Sequence, residues 1–260
     1  MQNIFNDESQ NRLLSIYYTA GYPTLDSTVS IAEKLEKAGA DFLEIGFPYS
    51  DPVADGPVIQ HSSEVALKNG MTLKLLFEQL KELREKVSIP VFLMGYCNPV
   101  LQYGVENFCR DCQQAGINGV IIPDLPMYEY EDLYQNIFHQ YQVSNIFLVT
   151  PQTSEERIRK IDRLSNSFIY LLSSNATTGK DLDVGNQTER YFQRLKDMKL
   201  KNPLVIGFGI SDRFTFQKAT NYAKGAIIGS AFVRLLEAEN YEHAITDFVQ
   251  GIKGKIAKSV

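Results

Sequence analysis

Short apolar runs alternate with amphipathic stretches from one end of this chain to the other. The runs are apolar at successive positions rather than at every second one, which is typical of parallel strands covered by helices. The predicted strands are Leu14–Thr19, Phe42–Gly46, Val91–Gly95, Gly119–Ile122, Asn145–Val149, Ser167–Leu171, Leu204–Gly207 and Gly225–Ile228. The predicted helices are Thr28–Ala38, Leu73–Val87, Val105–Ala115, Glu129–Tyr141, Glu155–Leu164, Thr188–Lys199, Arg213–Tyr222 and Tyr241–Ile256.

The alternation of strands and helices predicts the fold class. Parallel strands joined by helices need right-handed crossovers, and eight such units in about 250 residues close most naturally into a barrel. We therefore expect an α/β protein, a single (β/α)8 TIM barrel over residues 1–260 with additional N-terminal and loop helices. The same order of strands and helices also leaves open a doubly wound sheet.

The composition is that of an ordinary globular chain, with 44% hydrophobic and 22% charged residues. The formal net charge is −5, and Lys and Arg form no stripe with interleaved aromatic residues. Both features argue against binding to nucleic acid. The three cysteines, an odd number, do not suggest a set of disulfides, so we expect a reducing, cytoplasmic location.

Neither a signal peptide nor a membrane span is predicted. Residues 1–15 are polar and acidic, whereas a signal peptide begins basic and continues apolar. The most apolar stretch, Ile89–Leu101, is too short to cross a bilayer and is interrupted by Pro90, Gly95 and Pro99.

The second predicted strand carries a carboxylate inside an apolar run. Glu44 shares a strand face with Phe42 and Gly46, while Leu43 and Ile45 point to the other side. Burial of an unpaired carboxylate raises its pKa, which suits a general acid and base. A structural glutamate bonded within the barrel layers explains the same position equally well.

A second carboxylate follows eleven positions later. Asp55 lies in a loop rich in Pro, Asp and Gly, just before Gly56-Pro57, a pair that suits the start of a helix. Taken alone, an aspartate at such a place is usually a turn residue or a helix cap.

Glycines follow the last two predicted strands. Gly207 and Gly209 end the seventh strand, and Gly229 and Ser230 follow the eighth. Backbone N–H groups of such loops bind phosphate, and this is the usual phosphate site of a (β/α)8 barrel. A dinucleotide site is excluded because Asp212 stands where its third glycine would be.

Two further segments have an ambiguous interpretation. The small, polar loop from Ser173 to Asp181 suits either a lid over a substrate or an ordinary surface loop. Cys109 and Cys112 are spaced like metal or redox cysteines, but there is no second pair, so we interpret them as ordinary thiols.

The segment from Glu44 to Gln60, Glu-Ile-Gly-Phe-Pro-Tyr-Ser-Asp-Pro-Val-Ala-Asp-Gly-Pro-Val-Ile-Gln, closely resembles the signature of tryptophan synthase α subunits. The similarity extends over essentially the whole chain. It includes Thr19-Ala20-Gly21-Tyr22-Pro23, Leu93-Met94-Gly95-Tyr96-Cys97-Asn98-Pro99, Pro123-Asp124-Leu125-Pro126, Tyr170-Leu171-Leu172-Ser173 and the two glycine loops.

The resemblance implies a lyase that splits indole-3-glycerol phosphate into indole and glyceraldehyde 3-phosphate, in L-tryptophan biosynthesis. It implies that Glu44 is the acid and base and that Asp55 binds the indole N–H. The implied substrate-binding residues are Tyr17, Tyr96, Tyr170, Thr178 and Gly179, and the implied phosphate site is Gly207, Gly209, Gly229 and Ser230. No cofactor and no metal are implied for this chain.

The resemblance also implies a partner, a β subunit that carries pyridoxal phosphate (PLP), in an α2β2 tetramer that Pro48, Asp51 and Pro52 would face. Two other functions stay open: a barrel kept mainly to activate the β subunit, and a free-standing lyase that releases indole. The sequence departs from the family at two positions. Tyr17 replaces a phenylalanine of the indole pocket, and Ala176 replaces a glycine of the sixth loop.

Overall fold

The computed structural model describes residues 4–7, 11–172, 186–207 and 209–254. Its strands are β1 (Leu13–Thr19), β2 (Phe42–Gly46), β3 (Val91–Met94), β4 (Gly119–Ile121), β5 (Ser144–Ile146), β6 (Leu148–Val149), β7 (Ile169–Leu172), β8 (Leu204–Gly207) and β9 (Gly225–Ile228). Every pairing between them in the described part of the chain is parallel. The prediction of a parallel sheet is confirmed.

The sheet closes on itself. Its strand order is β5-β4-β3-β2-β1-β9-β8-β7-β6, so that the two outermost strands are neighbours in the chain. Only Phe147 separates them, and its carbonyl accepts a hydrogen bond from the backbone N–H of Tyr170 (3.0 Å). The predicted strand Asn145–Val149 is therefore wrong in one respect, since it is interrupted at Phe147. The barrel is confirmed, and the open sheet is excluded.

The helices are α1 (Ser27–Ala38), α2 (Pro57–Lys68), α3 (Leu73–Leu80), α4 (Leu83–Lys86), α5 (Cys97–Tyr103), α6 (Val105–Gln114), α7 (Met127–Glu129), α8 (Gln135–Gln140), α9 (Glu155–Leu164), α10 (Asn186–Asp197), α11 (Arg213–Ala219), α12 (Ser230–Leu235) and α13 (Tyr241–Lys253). A π-helical turn, Tyr130–Tyr134, joins α7 to α8. Within the described ranges, no helix has the length and apolar character of a membrane span.

Two predicted helices are divided. The helix predicted over Leu73–Val87 is two pieces, and Arg84 in the second piece donates to the carbonyls of Gly116 (2.6 Å) and Ile89 (2.7 Å). The helix predicted over Glu129–Tyr141 contains the π-helical turn. Additional loop helices, α5 among them, are confirmed. Of the N-terminal segment, residues 4–7 form a turn rather than the expected helix, and its other residues are only partly described.

Aromatic side chains fill the amino-terminal end of the barrel. The Phe5 ring lies 5.1 Å from that of Phe42 and 4.9 Å from that of Phe168, and Phe92 completes the cluster. Phe42 starts the inner face of β2, so Glu44 is the next inward position toward the carboxyl end. The aromatic cluster closes one end of the barrel and leaves the other end for polar chemistry.

Candidate active site

Glu44 lies on the inner face of β2 with 0% of its surface exposed. Neither of its carboxylate oxygens has a hydrogen-bond partner among the described residues. Burial raises the pKa of Glu44 to about 8, because the charged form loses its hydration. The structural alternative, a glutamate bonded within the barrel layers, therefore has no support, and the carboxyl group is mostly protonated at neutral pH.

Two tyrosines lie across the strands near Glu44. A Cβ atom added to Gly46 would meet the Tyr17 hydroxyl at 2.2 Å, and one added to Gly207 would meet the Tyr170 hydroxyl at 2.0 Å. These close approaches explain the glycines at both strand ends. The pKa values of both tyrosines are raised, chiefly by burial and in part by the negative charges of Glu44 and Asp55. The side chains of Tyr17, Tyr170, Glu44 and Asp55 are therefore close enough to interact electrostatically.

A cavity of about 670 Å³ opens at the carboxyl ends of the strands. Its walls come from Tyr17, Phe47, Tyr49, Pro52, Val53, Ala54, Asp55, Ser63, Met94, Gly95, Tyr96, Pro123, Leu148, Thr150, Gln152, Thr153, Arg157 and Leu172. Tyr17 is in the wall and pairs in register with Glu44, whose own side chain is fully buried and does not line the cavity. A mainly apolar pocket with a few polar groups suits a small aromatic ligand.

Asp55 lies in the wall of this cavity, beside Tyr96. The Tyr96 hydroxyl accepts a hydrogen bond from the N–H of Ala54 (2.9 Å) and donates one to Oδ2 of Asp55 (3.2 Å). Burial raises the pKa of Asp55 to about 6, and the bond from Tyr96 opposes that rise. Asp55 is not a helix cap, because the N-cap of α2 is Gly56. Its side chain therefore faces the cavity as a carboxylate held by Tyr96, the N-cap residue of α5.

The two glycine loops lie side by side. β8 and β9 are adjacent and in register, with Val205 opposite Gly225, so the ends of both strands meet at the rim. Gly209 adopts φ +74°, a conformation that suits glycine. Gly229 faces the Tyr17 ring, which lies 3.5 Å from the position of an added Cβ. Ser230 begins α12.

Other predicted site residues lie on the rim or outside the described part. Pro48, Asp51 and Pro52 belong to the loop between β2 and α2, where Val53 is 81% exposed. Thr178 and Gly179, the lid segment around them and Ala176 lie outside the described residues. Cys109 and Cys112 are buried thiols, as expected. No cluster of metal-ligating side chains occurs in the part of the chain that the structure describes.

One side of the cavity escaped sequence reasoning. Thr150, Gln152 and Thr153 line it from the loop between β6 and α9, and Arg157 lines it from the first turn of α9. The signal was available, since this polar segment directly follows a barrel strand, where functional residues gather. It carries no unusual glycine or buried charge, so nothing in its composition distinguished it from a surface loop.

A parallel (β/α)8 barrel with a buried acid on an inner strand, and a second carboxylate in a cavity at the carboxyl ends of the strands, has the features of an acid–base barrel enzyme. The family model described as tryptophan synthase alpha chain matches residues 4–259. The tryptophan synthase alpha chain of Christiangramia forsetii is 56% identical over 246 residues, 95% of this chain and 96% of that protein. The corresponding protein of Bacteroides thetaiotaomicron is 52% identical over 254 residues, 97% and 99% of the two chains.

Solved structures agree with the sequence relatives. A chain of the tryptophan synthase complex from Pyrococcus furiosus is similar with a TM-score of 0.85 and 31% identity, covering 95% of this chain and 99% of that one. A chain of tryptophan synthase from M. tuberculosis has a TM-score of 0.80 and 30% identity, covering 93% and 94%. This chain belongs to the tryptophan synthase alpha chain family, and its activity is the alpha reaction of tryptophan biosynthesis. The expected family, fold and activity are confirmed.

Proposed function

We propose that this chain cleaves indole-3-glycerol phosphate with Glu44 as the acid and base, and that residues 1–260 act as one catalytic domain. The observation that carries the proposal is a buried carboxyl group without a hydrogen-bond partner among the described residues, with a pKa of about 8, next to Tyr17 in the wall of a cavity that also contains Asp55. A carboxyl group of this pKa holds a proton at neutral pH and can also accept one.

The proton balance of the reaction fits a single group. Glu44 gives its proton to indole C3, which leaves positive charge on the ring nitrogen. The hydroxyl on the adjacent carbon then loses its proton to Glu44 as the bond to C3 breaks. The electron pair of that bond returns to the ring, an aldehyde forms, and Glu44 is again protonated. Indole and glyceraldehyde 3-phosphate leave, and no net proton is consumed.

Asp55 fits the complementary role. Its pKa of about 6 leaves it ionised at neutral pH, and the bond from Tyr96 holds its carboxylate at the cavity wall. A fixed negative charge beside the indole N–H stabilises the cation that forms when C3 is protonated. We assign Asp55 to this contact, and Tyr17, Tyr96 and Tyr170 to the substrate pocket together with Thr178 and Gly179.

The phosphate group fits the loops at the ends of β8 and β9. Gly207, Gly209, Gly229 and Ser230 converge there, and glycine lets backbone N–H groups approach an anion closely. This site and the Asp55 wall lie at the same end of the barrel. A substrate with a ring at one end and a phosphate at the other can therefore contact both from the carboxyl-terminal end of the barrel.

The partner proposed for this chain is a β subunit that binds PLP. One of the similar structures is that of the tryptophan synthase complex from Pyrococcus furiosus. Pro48, Asp51 and Pro52 lie on an exposed loop beside Asp55, which suits contact with a partner. We propose an α2β2 tetramer, no cofactor in this chain and a cytoplasmic location.

An indole-release assay on the isolated chain tests the proposal. We expect Glu44→Gln to abolish release and to leave substrate affinity within about tenfold, because the amide keeps the shape but transfers no proton. Retention of more than a few per cent of wild-type turnover would exclude Glu44 as the acid. A wild-type chain that binds the substrate but releases no indole, alone or with a β subunit, would instead support a barrel kept as an activating partner.

A further inference from the structure

Three hydroxyl groups connect Tyr17, in the wall of the cavity, to helix α2. The Tyr17 hydroxyl lies 3.5 Å from Oγ1 of Thr19, and Thr19 Oγ1 lies 2.6 Å from Oγ of Ser62. Ser62 in turn donates to the carbonyl of Ile59 (2.9 Å). Thr19 and Ser62 are fully buried and Tyr17 nearly so, so this hydroxyl chain is shielded from solvent.

The direction of the hydroxyl chain follows from its last member. A carbonyl oxygen can only accept, so the single proton of Ser62 belongs to Ile59. Thr19 must then donate to Ser62, and Tyr17 must donate to Thr19 across the longest of the three distances. No other arrangement of three protons satisfies every link. The Tyr17 proton thus points toward Thr19, and the lone pairs of its oxygen face the remaining side.

Glu44 lies next to Tyr17 on the adjacent strand. Tyr17 and Glu44 are register partners on β1 and β2, and both face the interior of the barrel. The Tyr17 oxygen lies over Gly46, the next inward position after Glu44. Tyr17 also lines the cavity and interacts electrostatically with Glu44. Neither oxygen of Glu44 has a hydrogen-bond partner among the described residues, so its carboxyl group has no acceptor assigned among them.

We propose that Tyr17 is a positioning residue for Glu44, oriented by the Thr19–Ser62 hydroxyls so that its oxygen accepts the proton of the Glu44 carboxyl and directs that group toward the cavity. The inference rests on the proposed role of Glu44. It gives a function to the tyrosine that replaces the family's phenylalanine. It also connects α2, the helix that follows Asp55, to the acid in the barrel.

Three described side chains interact electrostatically in this region and bear on the titration of Glu44. Tyr17 faces it from β1 and Tyr170 from β7, and Asp55 acts on both tyrosines from the loop after β2. An acceptor favours the protonated form of Glu44. Removal of the Tyr17 oxygen should therefore lower the pKa of Glu44, while Tyr170 and Asp55 stay in place.

The test compares Tyr17→Phe, Ser62→Ala and the double variant. Tyr17→Phe keeps the ring over Gly46, so we expect kcat to fall about tenfold with KM nearly unchanged, the usual effect of one lost hydrogen bond. Activity should fall at alkaline pH as Glu44 loses its proton. In Tyr17→Phe, this alkaline limb of the pH profile of kcat/KM should move to lower pH. Ser62→Ala lets the Tyr17 proton turn toward Glu44, which shifts that limb in the same direction. In the Tyr17→Phe background, Ser62→Ala should have no further effect on the limb.

Tyr18→Phe is the matched control. Tyr18 is the next residue of β1, is equally buried, and donates its hydroxyl to the carbonyl of Thr28 (2.8 Å) on the outer side of the barrel. Its loss should reduce stability and leave the pH profile in place. If Tyr17→Phe does the same, or if Ser62→Ala shifts the limb equally in both backgrounds, the hydroxyl chain does not position Glu44.

A titration of the Glu44 carboxyl by 13C NMR separates this inference from the proposed reaction. The resonance is identified by its loss in Glu44→Gln, and no turnover is needed. We expect its midpoint to fall in Tyr17→Phe and to stay in Tyr18→Phe. If the midpoint in Tyr17→Phe equals that in wild type, Tyr17 does not position Glu44, even if the enzyme is active. If the midpoint in Tyr17→Phe shifts but the wild-type chain releases no indole, only the proposed reaction is contradicted.

Discussion

The chemistry of this protein depends on two carboxyl groups that the fold treats differently. Glu44 is surrounded by barrel residues and has no described partner, so burial acts on it without opposition. Asp55 is at the cavity wall, where Tyr96 donates to it and limits the rise in pKa. One group is therefore protonated and the other ionised at the same pH, which is the pairing that acid–base catalysis at a cationic ring requires.

We expect kcat/KM to follow a bell-shaped dependence on pH. Activity should rise as pH passes about 6, because Asp55 must be ionised, and fall as it passes about 8, because Glu44 must be protonated. Tyr96→Phe removes the bond that lowers the pKa of Asp55, so the acid limb should move to higher pH. A profile that is flat between pH 6 and 8, or an acid limb unaffected by Tyr96→Phe, would contradict these assignments.

The ends of β8 and β9 form the proposed phosphate site from backbone rather than from side chains. Two glycine loops are adjacent because parallel neighbours end at the same rim. Such a site has no cation to delete, so it is tested by adding charge.

The loop between β2 and α2 has a different character. It combines a catalytic candidate, Asp55, with exposed residues such as Val53, so that one segment meets both substrate and solvent.

Gly209→Asp should raise KM strongly for the phosphorylated substrate. The added carboxylate repels the phosphate, and Asp tolerates the positive φ of this position better than most residues. Gly209→Asn is the matched control, since it has nearly the same shape and the same backbone tolerance without the charge. A KM that rises equally in both variants would mean that space, not charge, decides. A KM unchanged in both would place the phosphate elsewhere.

Pro52→Gly should weaken activation by a cognate β subunit. A partner that orders the loop needs only about 1.4 kcal/mol of differential binding for tenfold activation, and a flexible glycine costs more to order. Pro203 precedes β8 at the opposite end of the barrel, so Pro203→Gly serves as the control. The measurement is kcat for indole release as the β subunit is titrated. Equal activation of wild type and Pro52→Gly would count against coupling through this loop.

The two ends of the barrel have different roles. One end contributes to stability, and the other carries the proposed chemistry. Phe5, Phe42, Phe92 and Phe168 fill the amino-terminal end, and the cavity occupies the carboxyl-terminal end. Closure depends on one interrupted strand, whose Phe147 carbonyl still binds β7. The N-terminal segment takes part in this architecture, since the Phe5 side chain is 5% exposed although it lies far in sequence from the rings it contacts.

Phe5→Ala should destabilise the fold by about 3 kcal/mol, because it removes a ring from the centre of a packed cluster. Substrate KM should not change, since the cluster lies below the cavity. Phe214→Ala is the control, because the Phe214 side chain is 70% exposed and its loss should alter stability by less than about 0.5 kcal/mol. Denaturant unfolding gives both values. A small loss in Phe5→Ala would mean that the segment contributes little to barrel closure.

Periodicity and local chemistry were enough to predict the barrel, because strands covered on both faces and helices with one apolar face leave strong patterns in sequence. β2, β8 and β9 and helix α9 were predicted to the residue. The Glu44 anomaly was visible too, since a charge inside an apolar run is costly wherever the strand lies. The break at Phe147 was not visible, because a barrel closes through contacts between distant strands and not through any local signal.

The environments of the site residues depend on distances that no sequence pattern contains. The identity of Glu44 and Asp55 came from the chain, but their different pKa values come from burial and from the hydroxyl of Tyr96, which precedes α5. The polar side of the cavity near Arg157 and the hydroxyl chain behind Tyr17 also join segments far apart in sequence. Desolvation and hydrogen-bond geometry act over a few ångströms in space, so their effect on each residue is set when the barrel closes.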